Sequence, residues 1–275
     1  MEDPLAYWKT LAETEDRAID LSGAALQLSR QMDGLGSVER YRNHLDKIAN
    51  EVAVVFKDCG KKDTSAACHA ALTEIIAERY GYKGDFETAF DLQNASLART
   101  IDRRRGSPAA LAVLYIDAAE AQGWEIAGVD FPGRFLCRLA QGADVLLFDP
   151  ADEARLLSAA DLRRLLKAEK GESAELNAAF FSPVSKRACL LKLFHHLKYR
   201  QIESEDYAAA LETVQTMMEV DPDEVRLWLE AGVLYARQGE RDQALSLLES
   251  YVKHCPQGEG RPEAEGLIYD LRNLQ

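Results

Sequence analysis

An arginine and an aspartate stand on two neighbouring strand-like segments, where a charged pair could do chemistry. The stretch FPGRFLCRL places Arg134 among apolar residues, and LLFDP places Asp149 at the end of the next segment. An arginine in such a strand must reach water or bind an anion, because an unpaired buried charge is costly. If Gln141 and Gly142 form a two-residue turn, Arg134 and Asp149 lie directly opposite each other on one face. We predict an ion pair between them. The open alternative is that Arg134 points into a cleft and binds an anionic ligand.

The elements that must position this pair begin with a strongly apolar segment, 109–122, which predicts a helix in the interior. The next segments predict three strands, at 125–129, 133–139 and 145–149. Further helices are predicted at 16–32, 38–56, 66–80, 96–104 and 158–168. A central apolar helix followed by antiparallel strands predicts an α+β domain.

The chain beyond about residue 185 contains an internal repeat with a period of 34 residues, seen in the pairs Ala210 and Ala244, and Pro222 and Pro256. The copy at 225–258 resembles a tetratricopeptide repeat, in which two antiparallel helices cross closely at small residues. Its characteristic residues are Trp228, Gly232, Tyr235, Gly239, Ala244 and Pro256. The copy at 191–224 is degenerate, with Phe194, Gln201 and Glu205 in place of the tryptophan, tyrosine and glycine. Residues 263–274 are predicted to form the capping helix.

The order of these parts resembles the bacterial YchA-type family, which joins a transglutaminase-like domain to tetratricopeptide repeats. The resemblance rests on DLQNASLARTIDRRRGSPAALAVLY, VDFPGRFLCRL, LLFDP and the repeat. It implies an N-terminal helical segment at 1–58, a papain-like, transglutaminase-like domain with an antiparallel sheet at 59–182, and an all-α repeat domain at 183–275.

Active members of the wider superfamily use a Cys-His-Asp triad, and this sequence departs from that pattern at two of the three positions. The central helix begins with Gly106, Ser107 and Pro108, without a cysteine, and Arg134 stands where the histidine is expected. Asp149 alone matches. Since an arginine stays protonated at physiological pH, it cannot act as the general base. We therefore predict a non-catalytic scaffold or regulator that acts through its repeat groove and its degenerate cleft. The alternative is a cysteine- or serine-dependent hydrolase or acyl transferase that uses unusual residues, such as Ser107 or Cys137.

The resemblance also places a binding face on the first helix of each repeat. In the first copy this face carries Lys192, His195 and Tyr199, and in the second it carries Arg226, Leu229 and Arg237. A mildly basic face with an apolar floor suits a protein or peptide partner that is acidic or ends in a carboxylate. With only two repeats, the same face could instead pack against the chain's own preceding domain.

Composition narrows the remaining classes of partner and cofactor. The chain carries 33 Lys and Arg against 46 Asp and Glu, a net charge of −13, which argues against nucleic acid and anionic membranes as partners. No apolar run approaches membrane-spanning length, and the acidic first residues do not resemble a signal peptide, so we expect a cytoplasmic protein.

The five cysteines form no C-x-x-C pair, and the adjacent His195 and His196 point apart on a helix. We expect neither a cofactor nor a metal.

Overall fold

The structure, a computed structural model, describes residues 4–58, 64–88, 91–255 and 260–273. Its contacts divide the chain into two compact units. One unit runs from Asp16 to Leu193, and the other combines the segment up to Glu15 with the chain from Phe194 onward. The predicted N-terminal segment, 1–58, is therefore divided between the two units after Glu15.

The described residues form α-helices and short β-strands. The α-helices are α1 (Pro4–Glu13), α2 (Leu21–Asp33), α3 (Glu39–Asp58), α4 (Ser65–Leu72), α5 (Leu97–Arg103), α6 (Pro108–Glu120), α7 (Ala159–Lys170), α8 (Lys186–Glu203), α9 (Tyr207–Val220), α10 (Arg226–Arg237), α11 (Arg241–His254) and α12 (Arg261–Asn273). The strands are β1 (Lys83–Gly84), β2 (Arg105–Gly106), β3 (Glu125–Phe131), β4 (Arg134–Gln141), β5 (Asp144–Asp149) and β6 (Arg155–Leu156).

Helix α6 is the centre of the unit between Asp16 and Leu193. Its start is fixed by Ser107, whose hydroxyl caps the helix, and by Pro108 in the first turn. Every residue at 109–116 is buried, which is the pattern of a helix surrounded by protein on all sides. Strands β3 and β4 pack against α6 within a four-stranded antiparallel sheet of order β3-β4-β5-β6. The predicted α+β class and the antiparallel sheet are confirmed.

The register of β4 against β5 differs from the predicted one by two residues. Ala140 pairs with Val145 rather than with Ala143, because the turn consists of residues 142–143 rather than 141–142. Gly142 has a φ of +59°, so glycine supplies the left-handed conformation at the first turn position instead of the second. A shift of two residues leaves every side chain on its predicted face, since the faces of a strand alternate.

The second unit consists of helices. Helices α8 to α11 follow one another as two helix pairs, as the repeat predicts, and α12 packs on α11. Helix α10 packs against both α9 and α11, and Thr213 of α9 donates to Gln201 of α8 at 2.8 Å. A Cβ on Gly232 would lie 2.7 Å from Leu248, which explains why this helix crossing takes a glycine. Helix α1 packs on α9, and the ring of Trp8 lies 5.3 Å from that of Phe194. Pro256, the proline of the second copy, lies outside the described residues.

Within those described ranges, no helix combines the length and the apolar composition needed to cross a lipid bilayer.

Candidate functional site

Arg134 and Asp149 form the predicted ion pair. Arg134 Nη1 donates to Asp149 Oδ2 at 2.9 Å, with the aspartate side chain 1% exposed and the arginine side chain 35% exposed. The pair is diagonal rather than directly opposite, as the two-residue shift in register requires. The other carboxylate oxygen, Oδ1, accepts a hydrogen bond from the backbone N–H of Ala151 at 2.9 Å. Both oxygens of the buried carboxylate therefore have a donor.

The start of α6 lies in the same neighbourhood, connected through the short strands β1 and β2. The Asp85 N–H donates to the carbonyl oxygen of Gly106 at 3.1 Å, and the Gly84 N–H donates to that of Ala151 at 2.8 Å. Gly84 and Asp85 are neighbours in sequence. Gly84 thus holds the segment after Asp149, and Asp85 holds the segment before α6. The start of α6 and the end of β5 are therefore close to each other.

The two candidate nucleophiles have structural roles in this arrangement. Ser107 Oγ accepts the Ala110 N–H at 3.2 Å as the cap of α6. Cys137 is fully buried, and burial raises the pKa of its thiol well above the ordinary value. A buried, protonated thiol is a poor nucleophile, because the thiolate is the reactive form.

A histidine that sequence reasoning missed packs beside this region. The ring of His69 lies 5.1 Å from that of Phe148 in an edge-to-face contact, and its Nε2 lies 2.7 Å from the carbonyl oxygen of Ala154. Burial lowers the pKa of His69, so its ring favours the neutral form. We interpret it as a core histidine that holds the loop after β5. Nothing in the local sequence around His69 distinguishes it from other helix residues.

The second unit, which combines the segment up to Glu15 with the chain from Phe194 onward and is called the repeat unit from here on, contains a groove of about 370 Å³. Four of the six predicted binding residues, Tyr199, Arg226, Leu229 and Arg237, line it together. The remaining lining residues are Lys198, Ile202, Tyr207, Glu230, Val233, Leu234 and Glu263.

The other two predicted binding residues, Lys192 and His195, do not line this groove. Lys192 lies in the other unit, where its ammonium group contacts Asp130 at 2.6 Å. The ring of His195 contacts Lys198 at 3.0 Å through Nδ1. The groove is consequently formed by the last turns of α8, the start of α9, the length of α10 and the start of α12.

Charges within the groove fall into a paired and an unpaired set. Lys198 donates to Glu230 at 2.6 Å, and this pair is largely buried at 10% and 25% exposure. Arg226 and Arg237 are exposed, and neither has a carboxylate partner within salt-bridge distance in the described part of the chain. The exposed Glu263 opposes them with one negative charge. The unpaired charges therefore leave the groove with a net positive charge.

Sequence reasoning missed Lys198, although its position gave a signal. It lies one repeat length before Gly232, at the position where a tetratricopeptide repeat places a small residue. A lysine there must extend its chain out of the helix crossing, and Glu230 of the next repeat receives its charge.

Among the residues that the structure describes, no three His, Cys, Asp or Glu side chains converge with geometry suited to a metal ion.

Comparison with known proteins places the chain in a family. The profile of the transglutaminase-like superfamily matches residues 39–195, and a tetratricopeptide repeat profile matches residues 197–268. The chain belongs to the transglutaminase-like superfamily, with a tetratricopeptide repeat region after the superfamily domain.

Relatives described as UPF0162 proteins occur in several bacteria. A "UPF0162 protein" of Xylella fastidiosa is 25% identical over 276 residues, which covers 98% of this chain and 96% of the relative. Another, from Pseudomonas aeruginosa, is 34% identical over 178 residues, 65% of this chain and 63% of the relative. The mouse "F-box only protein 21" is 22% identical over 180 residues, 62% of this chain but 28% of the relative. No solved structure matches the chain.

Proposed function

We propose that this protein is a non-catalytic member of its superfamily that binds an acidic segment of a partner protein in the groove of its repeat unit. The observation that carries the proposal is the pair of exposed arginines, Arg226 and Arg237, at the groove over an apolar floor that includes Leu229. Cations without an internal partner on such a surface favour an anionic ligand, because an Arg–carboxylate contact is both charge-assisted and directional.

The chemistry at the triad positions supports a non-catalytic role for the other unit. The position of the expected general base carries Arg134, which donates to Asp149, and an arginine side chain does not serve as a general base at physiological pH. Ser107 caps a helix, and Cys137 is a buried thiol with a raised pKa. A cysteine- or serine-dependent reaction needs an activated nucleophile beside a base, and among the described residues no base is hydrogen-bonded to Ser107 Oγ or Cys137 Sγ.

The groove is tested by reversing its charge in the full-length protein. Arg226→Glu combined with Arg237→Glu should abolish capture of partner proteins that the wild type enriches from the source organism's lysate, with an unchanged melting temperature. The control variant, Lys9→Glu with Lys253→Glu, changes net charge equally on exposed residues outside the groove and should retain capture. Retained capture by the groove variant contradicts the proposal. A lowered melting temperature would instead identify this face as an internal packing surface.

The non-catalytic role needs its own measurement. The wild-type protein should neither hydrolyse a peptide amide nor transfer an amine to a glutamine peptide. It should also fail to react stoichiometrically with a fluorophosphonate or a thiol-directed probe in the native state. Labelling of Ser107 or Cys137 that disappears on denaturation would support the enzyme alternative.

A further inference from the structure

Four residues of α10 form a straight stripe along one wall of the groove. Arg226, Leu229, Val233 and Arg237 follow each other at intervals of three, four and four residues, so they share one face of the helix. The two arginines are eleven residues apart, close to three full turns, which corresponds to about 16 Å along the helix axis. The stripe has a positive charge at each end and aliphatic side chains between them.

The spacing of the two aliphatic residues matches the repeat of an extended peptide. Leu229 and Val233 are four residues apart, or about 6 Å along the axis. In an extended chain, alternate side chains lie on the same face, about 6.6 Å apart. Leu229 is 7% exposed and forms the floor of the groove, and Val233 is half-buried. Two alternate side chains of an extended peptide can therefore lie over these two residues.

The part of the groove contributed by α8 also favours apolar side chains. Tyr199 and Ile202 of α8 are exposed at 57% and 37%, respectively, and both line the groove. The guanidinium carbon of Arg237 lies 5.9 Å from the ring centroid of Tyr207 at the start of α9, a cation–π contact that restrains this arginine at the groove. These exposed apolar side chains line the same groove as the α10 stripe and can contact the apolar side chains of a bound segment.

The geometry points to a specific ligand: an extended segment with the pattern acidic–x–apolar–x–apolar–x–acidic. In this pattern the two apolar residues lie over Leu229 and Val233, and the two carboxylates lie about 20 Å apart. That distance exceeds the separation of Arg226 and Arg237 by a few ångströms, which the long arginine side chains at the two ends of the stripe can span. The pattern reads the same in both chain directions, so it does not depend on how the segment is oriented. This inference rests on the proposed function and specifies its ligand.

Three peptides of identical composition test the spacing against the full-length protein. Each is acetylated, amidated and fluorescently labelled, so that no terminal carboxylate adds a charge. ESLSLSE has the proposed pattern. ESLSESL keeps its two carboxylates about 13 Å apart, within reach of both arginines, but leaves only one leucine between them, and EESLSLS makes the carboxylates adjacent. We expect ESLSLSE to bind about fivefold more tightly than either isomer by fluorescence anisotropy, because ESLSESL loses one apolar contact between the arginines and EESLSLS loses one exposed Arg–carboxylate contact.

Variants then assign the contacts. Arg226→Gln and Arg237→Gln should each lower the affinity for ESLSLSE about fivefold. The affinity for EESLSLS should fall less, because this isomer contacts only one arginine at a time. Lys253→Gln, outside the groove, should change neither affinity.

The outcomes separate this inference from the proposed function. Equal affinity for the three peptides, lost in both arginine variants, overturns the spacing and leaves a basic groove that binds acidic segments without a fixed pattern. Absence of measurable binding for every peptide also overturns the spacing. The comparison of lysate capture between the wild type and the charge-reversed variant then shows whether the groove binds a partner at all. Binding that neither arginine substitution weakens overturns both.

Discussion

Replacement of Arg134 by alanine should destabilise the sheet far more in the wild-type background than in a background that carries Asp149→Asn. The substitution leaves the Asp149 carboxylate, 1% exposed, with only the Ala151 N–H as a donor. Breaking a fully buried ion pair costs about 3–5 kcal/mol. Because the arginine side chain is 35% exposed, water can enter the vacated space, and we expect a smaller cost of about 2–3 kcal/mol. In the asparagine background the charge is absent, and the same substitution should cost less than about 1 kcal/mol.

The assay should report the free energy of opening in this part of the chain, because the protein contains two compact units. Native-state hydrogen exchange on peptides from β4 and β5 gives such a local value. Arg138→Ala is the matched control, since Arg138 lies four residues further along the same face and contacts Glu125 at 3.4 Å in an exposed pair. It should cost less than about 1 kcal/mol. Equal effects of Arg134→Ala in the two backgrounds, or an effect no larger than that of the control, would refute the assignment of a stabilising buried pair.

Three further predictions concern backbone conformation, packing and pH. Glu205 has a φ of +60° at the repeat position of Gly239, so Glu205→Gly should stabilise the repeat unit by about 0.5–1 kcal/mol in urea denaturation. Gly232→Ala places a Cβ 2.7 Å from Leu248 and should destabilise the same unit by about 1–3 kcal/mol. Burial, together with neighbouring carboxylates, raises the pKa of Asp117, so at neutral pH its charge destabilises the folded state. Asp117→Asn should therefore raise the melting temperature at pH 7, and the gain should shrink as the pH falls through that raised pKa and the native carboxyl becomes protonated.

The fold was predictable where local pattern and burial agree. The central helix is apolar on all sides, begins at a serine cap with a proline in its first turn, and ends before Gly123, so its limits could be predicted to within two residues. The repeat was predictable because Gly232 and Gly239 satisfy two separate requirements, a close helix crossing and a left-handed turn. The helix predicted at 66–80 was only partly foreseen. It is α4 followed by a π-helical segment, Thr73–Arg79, and no residue type in that segment signals the change of hydrogen bonding.

The association of α1 with the repeat unit was not predictable from local pattern. Trp8 and Phe194 meet in an edge-to-face contact, although most of the chain separates them in sequence. An amphipathic helix specifies that it needs an apolar partner, and it does not specify which one.

In the candidate sites, the periodicity of strands and helices determines which face a side chain lies on, and only the tertiary structure determines which partner it meets. The ion pair of Arg134 and Asp149 was predicted from an incorrect turn, yet the pair exists because an error of two residues preserves the face of each strand. An error of one residue would have placed the arginine on the opposite face and removed the prediction. Likewise, Arg226 and Arg237 share a face by helical period alone. Lys192 has an equally suitable position in its own repeat, but Asp130, far away in sequence, already holds its charge. Sequence periodicity thus predicts which charges face a surface, whereas the unpaired charges available for a ligand become identifiable only when every internal partner is known.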